Sequence, residues 1–410
     1  MIMTLCATVF SILLYLFFPA GIEATVHYTS FIFIAGGTAI LICSMLSFVN
    51  ILMPVQYLEQ NLIPNLMELF RQDLRLHLSQ LILLLFSVVS FFSAALALHI
   101  QDPTYQLWLF FVWIILFGIA LDGFREFWRR ATILLNPTHV ISWIENDAQS
   151  SIRKDDRKSL LNDIDTLSEI GLRSVEKGKL AASTQALQPF PSILKLFFDA
   201  SKNFAHMRHD VDPTLNVPGG DEASYIVFYL LQRLELINDR ALRERMETVC
   251  RQMIMTMGKI TLNCAKFDLS MVSFPTHFLT KFGLKAEQHH FDEVAVLATS
   301  TLSEIAKSIL TEIDVTYAEL VEPFQSIING LAALARSSYK KHREMGVRVL
   351  KQPFIELKDL FRSEKIAQHR DTPEIVRSID NVLEEFSVLE QMLQSIPTIP
   401  GISTSEEEPT

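Results

Sequence analysis

The sequence predicts an all-α protein: a four-helix transmembrane bundle followed by an α-helical cytoplasmic domain built on helical hairpins. Three observations predict it. The charge is split: residues 1–130 contain no lysine and only Arg71, Arg75, Arg125, Arg129 and Arg130 as basic side chains. Four apolar runs of helical length fill that same first third. After Ala131 one amphipathic pattern follows another, with no run of alternating strands and only 14 glycines in 410 residues, too few for a turn-rich β domain. The net charge of −10, with 49% hydrophobic residues, belongs mainly to the second part. A mean hydropathy of +0.25 is high for a wholly soluble chain.

The apolar runs are about Met1–Ile22, Ser30–Met53, Ser79–Ile100 and Tyr105–Leu121, each 17–24 residues long. Such a run crosses a ~30 Å hydrocarbon core as a helix, which satisfies its own backbone hydrogen bonds. The first run reads as a retained span: no Lys or Arg precedes it, and "FPAGIEA" is a poor cleavage site. The short connections "EATVHY" and "QDPT" carry no Lys or Arg, whereas Arg71, Arg75 and "GFREFWRRA" lie on the other side. Basic residues stay cytoplasmic, so the expectation is an inner-membrane, multi-pass protein with both termini cytoplasmic. Between spans two and three, Leu58, Leu62, Leu66, Leu69, Phe70 and Leu74 follow helical spacing and predict an amphipathic helix over 54–78, kinked or started near Pro64. No Lys, Arg, Asp or Glu lies mid-span, where proton-coupled carriers place them. Ser87, Ser90 and Ser93, with Ala94 and Ala97, mark one face of span three as a packing face or a pore face.

The domain expected over 131–396 opens on three helices, "NPTHVISWIENDAQSSI", "RKSLLNDIDTLSEIGLRSVEKGK" and "LAASTQALQPFPSILKLFFDASKNFAHMRH", the last two forming a helical hairpin that turns at "EKGK". A second copy at a 34-residue period is not found, so helical hairpins are expected but not a regular solenoid. Residues 211–223, with two prolines and two glycines, predict a loop. "ALRERMETVCRQMIMTMGKITLNCA" predicts one long helix. Near the end, Asp371 and Glu374 form a capping box with Pro373 in the first turn. The heptad seam Ile379, Val382, Phe386, Leu389, Leu393 and Ile396 suits a bundle helix or association with another chain or itself. The tail 397–410 is acidic and polar, and is expected to be disordered.

Few residues point to chemistry. Cys6, Cys43, Cys250 and Cys264 show no zinc spacing and read as reduced, buried thiols. In "FAHMRHDVDP", His206, His209 and Asp210 are a weak metal candidate, and the polar end of a helix is the simpler reading. "EQHHFDE" adds adjacent histidines about 100° apart on a helix, which suit one ion poorly. Phosphate-loop, dinucleotide and nucleophile-elbow motifs are absent from the sequence. No cofactor and no catalytic residue is therefore expected. From Arg336 to Arg370 ten Lys/Arg stand against four Asp/Glu. Arg336, Lys340, Lys341, Arg343, Arg348 and Lys351 lead this run, a possible contact for anionic lipid or a solvated face. Stacking aromatics are too few there for nucleic acid to be expected.

The stretch "LNDIDTLSEIGLRSVEKGKLAASTQAL", with Ile164, Leu167, Ile170, Gly171, Leu172, Arg173 and Ser174, resembles an uncharacterised family of predicted bacterial membrane proteins. The resemblance implies the architecture only: four N-terminal spans and a helical cytoplasmic domain. The expected function is a non-enzymatic, membrane-anchored interaction or scaffold protein that meets the bilayer and another protein or itself. The alternatives are an oligomeric channel or transport subunit, and a membrane-bound hydrolase using the histidines.

Overall fold

A computed structural model describes residues 29–64, 66–100, 102–207, 222–341, 347–363 and 366–395. The expected first span, Cys6, most of the loop at 211–223 and the tail 397–410 lie outside them. Every regular element among the described residues is helical, and none is a strand. The chain divides into two compact units, Met1–Ile144 and Glu145–Thr410.

The first unit is built on α1 (Thr29–Asn61), α2 (Leu66–Gln72), α3 (Leu74–His99) and α4 (Pro103–Leu134). At 1.5 Å per residue, α1, α3 and α4 are roughly 50, 39 and 48 Å long, each more than a ~30 Å apolar core requires. Their faces are arranged inversely to those of a water-soluble bundle. On α3 the inward face is Ser79, Leu83, Phe86, Ser87, Ser90, Ser93, Ala94 and Ala97. The outward residues Leu85, Val88 and Phe92 are 60%, 64% and 65% exposed. Small and hydroxylated side chains let α1 approach closely, and the large apolar ones face outward. Asp73 caps α3 through Arg75 N and Leu76 N, and Asp102 caps α4 through Thr104 N.

The connection between α1 and α3 differs from its expected form. No separate amphipathic helix spans 54–78. Instead α1 runs through Pro54 to Asn61, the chain turns at Pro64, and α2 packs on α1 and α3. Leu62, Leu66 and Phe70 of the expected apolar face are buried here, whereas Leu74 is exposed. The break falls where Pro64 disfavours helix in the preceding residue. The boundary expected at 130/131 also falls inside a helix, since α4 continues to Leu134. The division into units comes within α5 (Pro137–Arg153).

The second unit continues with α6 (Arg157–Glu176), α7 (Leu180–Leu187), α8 (Pro189–Met207), α9 (Glu222–Arg243), α10 (Glu247–Phe267), α11 (Ser273–Gln288), α12 (Asp292–Glu312), α13 (Val321–Lys341), α14 (Val347–Phe361) and α15 (Thr372–Ser395). A 3₁₀ turn, Leu269–Val272, joins α10 to α11. These helices form two layers. In one, α6 packs on α9, α9 on α11, α11 on α13 and α13 on α15. In the other, α7 and α8 pack on α10, α10 on α12 and α12 on α14. Each hairpin therefore leans on the next, as in an α-solenoid. The hairpins open at Arg157, Glu222, Ser273 and Val321, so the repeat length varies and no fixed period could appear in the sequence. The outward side of α15 carries Glu374, Arg377, Asn381, Glu384 and Glu385 and closes the stack with a polar surface.

The turns repeat more closely than the sequence does. Asp155, Gly178, Arg245 and His290 end α5, α6, α9 and α11 with φ of 57°, 65°, 54° and 65°. Each makes the paired bonds of a Schellman cap. At Arg245 these are Met246 N to Ala241 O at 2.9 Å and Arg245 N to Leu242 O at 3.2 Å. This cap falls inside the helix expected from Ala241 to Ala265: α9 runs on to Arg243, and α10 starts at Glu247. A side chain in the left-handed region costs about 1 kcal/mol, which glycine avoids. Arg245→Gly and His290→Gly should therefore each stabilise the chain by about 0.5–1 kcal/mol in denaturant unfolding, while the alanine variants stay within about 0.3 kcal/mol of wild type.

The helix α12 is also long and apolar enough to cross a membrane, with mean hydropathy 1.2 against 2.2–2.6 for α1, α3 and α4. Its place in the stack, against α10, α11, α13 and α14, makes it a core helix.

Candidate functional site

In the first unit the serines of α3 meet at a three-helix junction. Ser90 Oγ donates to Phe33 O of α1 at 2.6 Å and accepts from Trp113 Nε1 of α4 at 2.7 Å. Ser87 donates to Leu83 O within its own helix. Ser87, Ser90 and Ser93 are all buried. A Cβ on Gly37 would lie 2.8 Å from Ser90 Cβ, so glycine at that position lets α1 touch α3. Trp113 sits among Phe33, Phe86 and Phe117, its ring centroid 5.3–5.7 Å from theirs. The hydroxyls of Ser87 and Ser90 thus bond within one chain's bundle.

The basic run meets acids of its own unit. Arg336 makes a bidentate pair with Glu385, at 2.8 and 2.7 Å, whose mutual hydrogen bonds raise the guanidinium pKa and lower that of the carboxyl. Lys341 pairs with Asp292 and donates to Glu287 O, and Lys351 pairs with Glu390. Lys358 pairs with Asp380. Lys340 and Arg348 are exposed, and Arg343 lies outside the described residues. Three of the six leading residues therefore fasten helices together, α13 to α15, α13 to α12 and α14 to α15. Half of the basic run is thus engaged with acids of its own unit.

The first half of the heptad seam faces its own unit. Ile379, Val382 and Phe386 are buried against α13 and α14, with Phe386 and Phe354 at 6.0 Å. They are not free for another chain, because the stack's last hairpin occupies that face. Leu389 is half-buried, while Ile396 and the side chain of Leu393 lie outside the described part. The expected capping box is different too. Asp371 Oδ2 accepts from Leu320 N at 2.8 Å and ties the α12–α13 connection to the start of α15.

His209, Asp210 and the side chain of His206 also lie outside the described part. Among the described residues, no three His, Cys, Asp or Glu side chains come together to hold a metal ion. The adjacent histidines His289 and His290 occupy the Schellman turn after α11. Burial pushes the thiols of Cys250 and Cys264 up to about 12, which keeps them protonated and inert.

Sequence reasoning missed a polar and aromatic face across α6, α9 and α11. Asp165 accepts from the Tyr229 hydroxyl at 2.6 Å and pairs with Arg233 at 2.7 Å. Arg233 also lies over the Tyr229 ring. Glu235 pairs with Lys281 at 2.6 Å and Lys285 at 3.0 Å, and Lys285 reaches Asp239 at 2.6 Å. Burial raises the Glu235 pKa, but the two lysines outweigh it and hold the carboxyl below its ordinary value. Beside these pairs Tyr225, Phe228 and Phe274 are exposed. Its parts lie on three helices up to 120 positions apart in the chain, and no local spacing signals it.

No protein-family model matches the chain, and no curated protein matches it. Among solved structures, a circular tandem repeat protein with novel repeat topology and enhanced subunit contact surfaces is similar at 14% identity and a TM-score of 0.19. That alignment covers 91% of this chain and 98% of the other. A likeness so slight bears on neither fold nor function.

Proposed function

We propose that the protein is a membrane-anchored helical scaffold: the apolar bundle holds it in a bilayer, and the hairpin stack binds another protein. The observation that carries the reading is the pairing of two opposite surfaces in one chain. In the first unit serines turn in and leucine, valine and phenylalanine turn out, as lipid requires. In the second unit the surface is laced with ion pairs, and stacked hairpins offer extended surfaces of the kind repeat proteins use for binding. The expected orientation fits the bundle's topology. The antiparallel run of α1, α3 and α4 puts Arg71, Arg75, Arg125, Arg129 and Arg130 at one end, the cytoplasmic end by the charge rule. An inner membrane is the location we propose for it. The channel alternative has less support, since Ser90 bonds to α1 and α4, and Ser87 and Ser93 are buried beside it on the same helix face.

Alkaline carbonate extraction of membranes carrying the full chain should leave it in the pellet, and release into the supernatant would remove the anchoring reading. The protein mass in mild detergent, corrected for bound detergent, separates the two classes. A single copy, alone or with a different protein, favours the scaffold. A ring of three to seven copies favours the channel.

A further inference from the structure

The corner where α5 turns into α6 holds a buried carboxyl group with no cation. Asp163 is 6% exposed. Its hydrogen-bond partner is the Ser151 hydroxyl of α5, 3.4 Å from Oδ2, and that hydroxyl also lies 3.0 Å from Ser159 Oγ. Ser151 is itself buried. Several of the other charged groups around the corner are acidic or engaged elsewhere. Asp147 of α5 is exposed and adds a like charge. Asp156 in the turn accepts from Ser159 N at 3.1 Å. Glu145 takes the Ser192 hydroxyl of α8. On α9, Arg233 is paired with Asp165, and Arg240 with Glu176 and Glu244. Arg153, Lys154, Arg157 and Lys158 flank the turn at exposed positions, whereas Asp163 is buried.

A carboxylate removed from water without a cation is costly, and the group escapes that cost by holding its proton or by opening the site to solvent. We propose that the α5–α6 corner is a pH-operated latch. With Asp163 protonated, its carboxyl and the hydroxyls of Ser151 and Ser159 close the corner. Loss of that proton to solvent loosens it. Burial first, then the charge of Asp147, pushes the Asp163 pKa up to about 7, while the Ser151 bond opposes them. In an opened corner the side chain would titrate near its ordinary value of about 3.9. The folded pKa is the higher one, so the latch is fully closed below about pH 4. It weakens as pH rises from there to about 7 and is constant above.

Amide hydrogen exchange over 157–163 in the full chain, held in mild detergent, reads the opening constant. Comparing wild type with Asp163→Asn at each pH cancels the intrinsic pH dependence of exchange. The wild-type to variant ratio of opening constants should rise at least about tenfold between pH 5 and pH 8. A ratio that stays within about twofold overturns the latch. Asp147→Asn, at an exposed position, serves as a second test that does not rely on Asp163→Asn folding. By removing a like charge it should slow opening relative to wild type at pH 8 and leave it unchanged at pH 4. Equal opening at pH 8 would also overturn the proposal.

Discussion

Gly283→Leu is expected to cost at least about 3 kcal/mol of stability and to disrupt the middle of the hairpin stack. A Cβ at this position would lie 2.8 Å from Ala298 Cβ on α12 and 2.8 Å from Leu334 Cδ2 on α13. Both distances are well inside van der Waals contact, and both neighbours are buried core residues. The single glycine therefore sets how closely α11 approaches the next hairpin. Overpacking of a filled core costs about 1–3 kcal/mol for small additions. Gly283→Ala tests the point with opposing effects: alanine gains about 1 kcal/mol of helix propensity but must displace two neighbours. The net result should be a loss of about 1 kcal/mol or more in denaturant unfolding of the full chain. A net gain would mean that α11 does not need the close approach. Gly178→Ala makes a contrast. No atom lies within 4 Å of its would-be Cβ, so any cost there comes from the backbone, whose φ is +65°.

The same residues show what a reader of the sequence could and could not see. Helices α5 and α6 follow from periodicity, and Gly178 announces the α6–α7 turn because glycine favours the left-handed cap; α7 and α8 read as one helix, and the chain breaks it at Gln188–Pro189. The equivalent caps at Arg245 and His290 carry no such mark, so the break between α9 and α10 reads a few residues early, before Ala241 rather than after Arg243. The helix α11 went unread because Pro275, Gly283 and scattered aromatics blur its pattern. Its glycine is there for a neighbour 51 positions away, Leu334. Charge was the least legible feature. Arg336 and Lys351 look like a free basic run until Glu385 and Glu390 arrive from α15. Asp163 looks like one acid in a charged helix, and only burial gives it a distinct titration. Composition settles how a chain partitions between lipid and water, because that sums over many residues. Pairings between distant helices depend on a three-dimensional match that no local window contains.

Trp113→Ala is expected to be the most damaging single truncation in the apolar unit, at about 3 kcal/mol or more. The indole fills the space between Phe33 of α1 and Phe86 of α3 and stacks on Phe117 at 12°. It also presses against Gly36, whose missing side chain leaves it room. Between apolar helices in lipid there is little hydrophobic gain from association, so van der Waals fit and a few interhelical hydrogen bonds hold them together. Trp113→Phe keeps most of the fit and removes only the N–H that reaches Ser90, so it should cost about 1 kcal/mol. Ser90→Ala should cost a similar amount, because it removes that acceptor and the donor to Phe33 O. The double variant Ser90→Ala with Trp113→Phe should then lose less than the two single losses added together, since both break the same bond. The measurement is helix content by circular dichroism as sodium dodecyl sulfate replaces a mild detergent. Simple additivity would mean that the Ser90–Trp113 bond contributes nothing. A lining serine in a pore would behave differently: its loss would change flux and leave stability almost untouched.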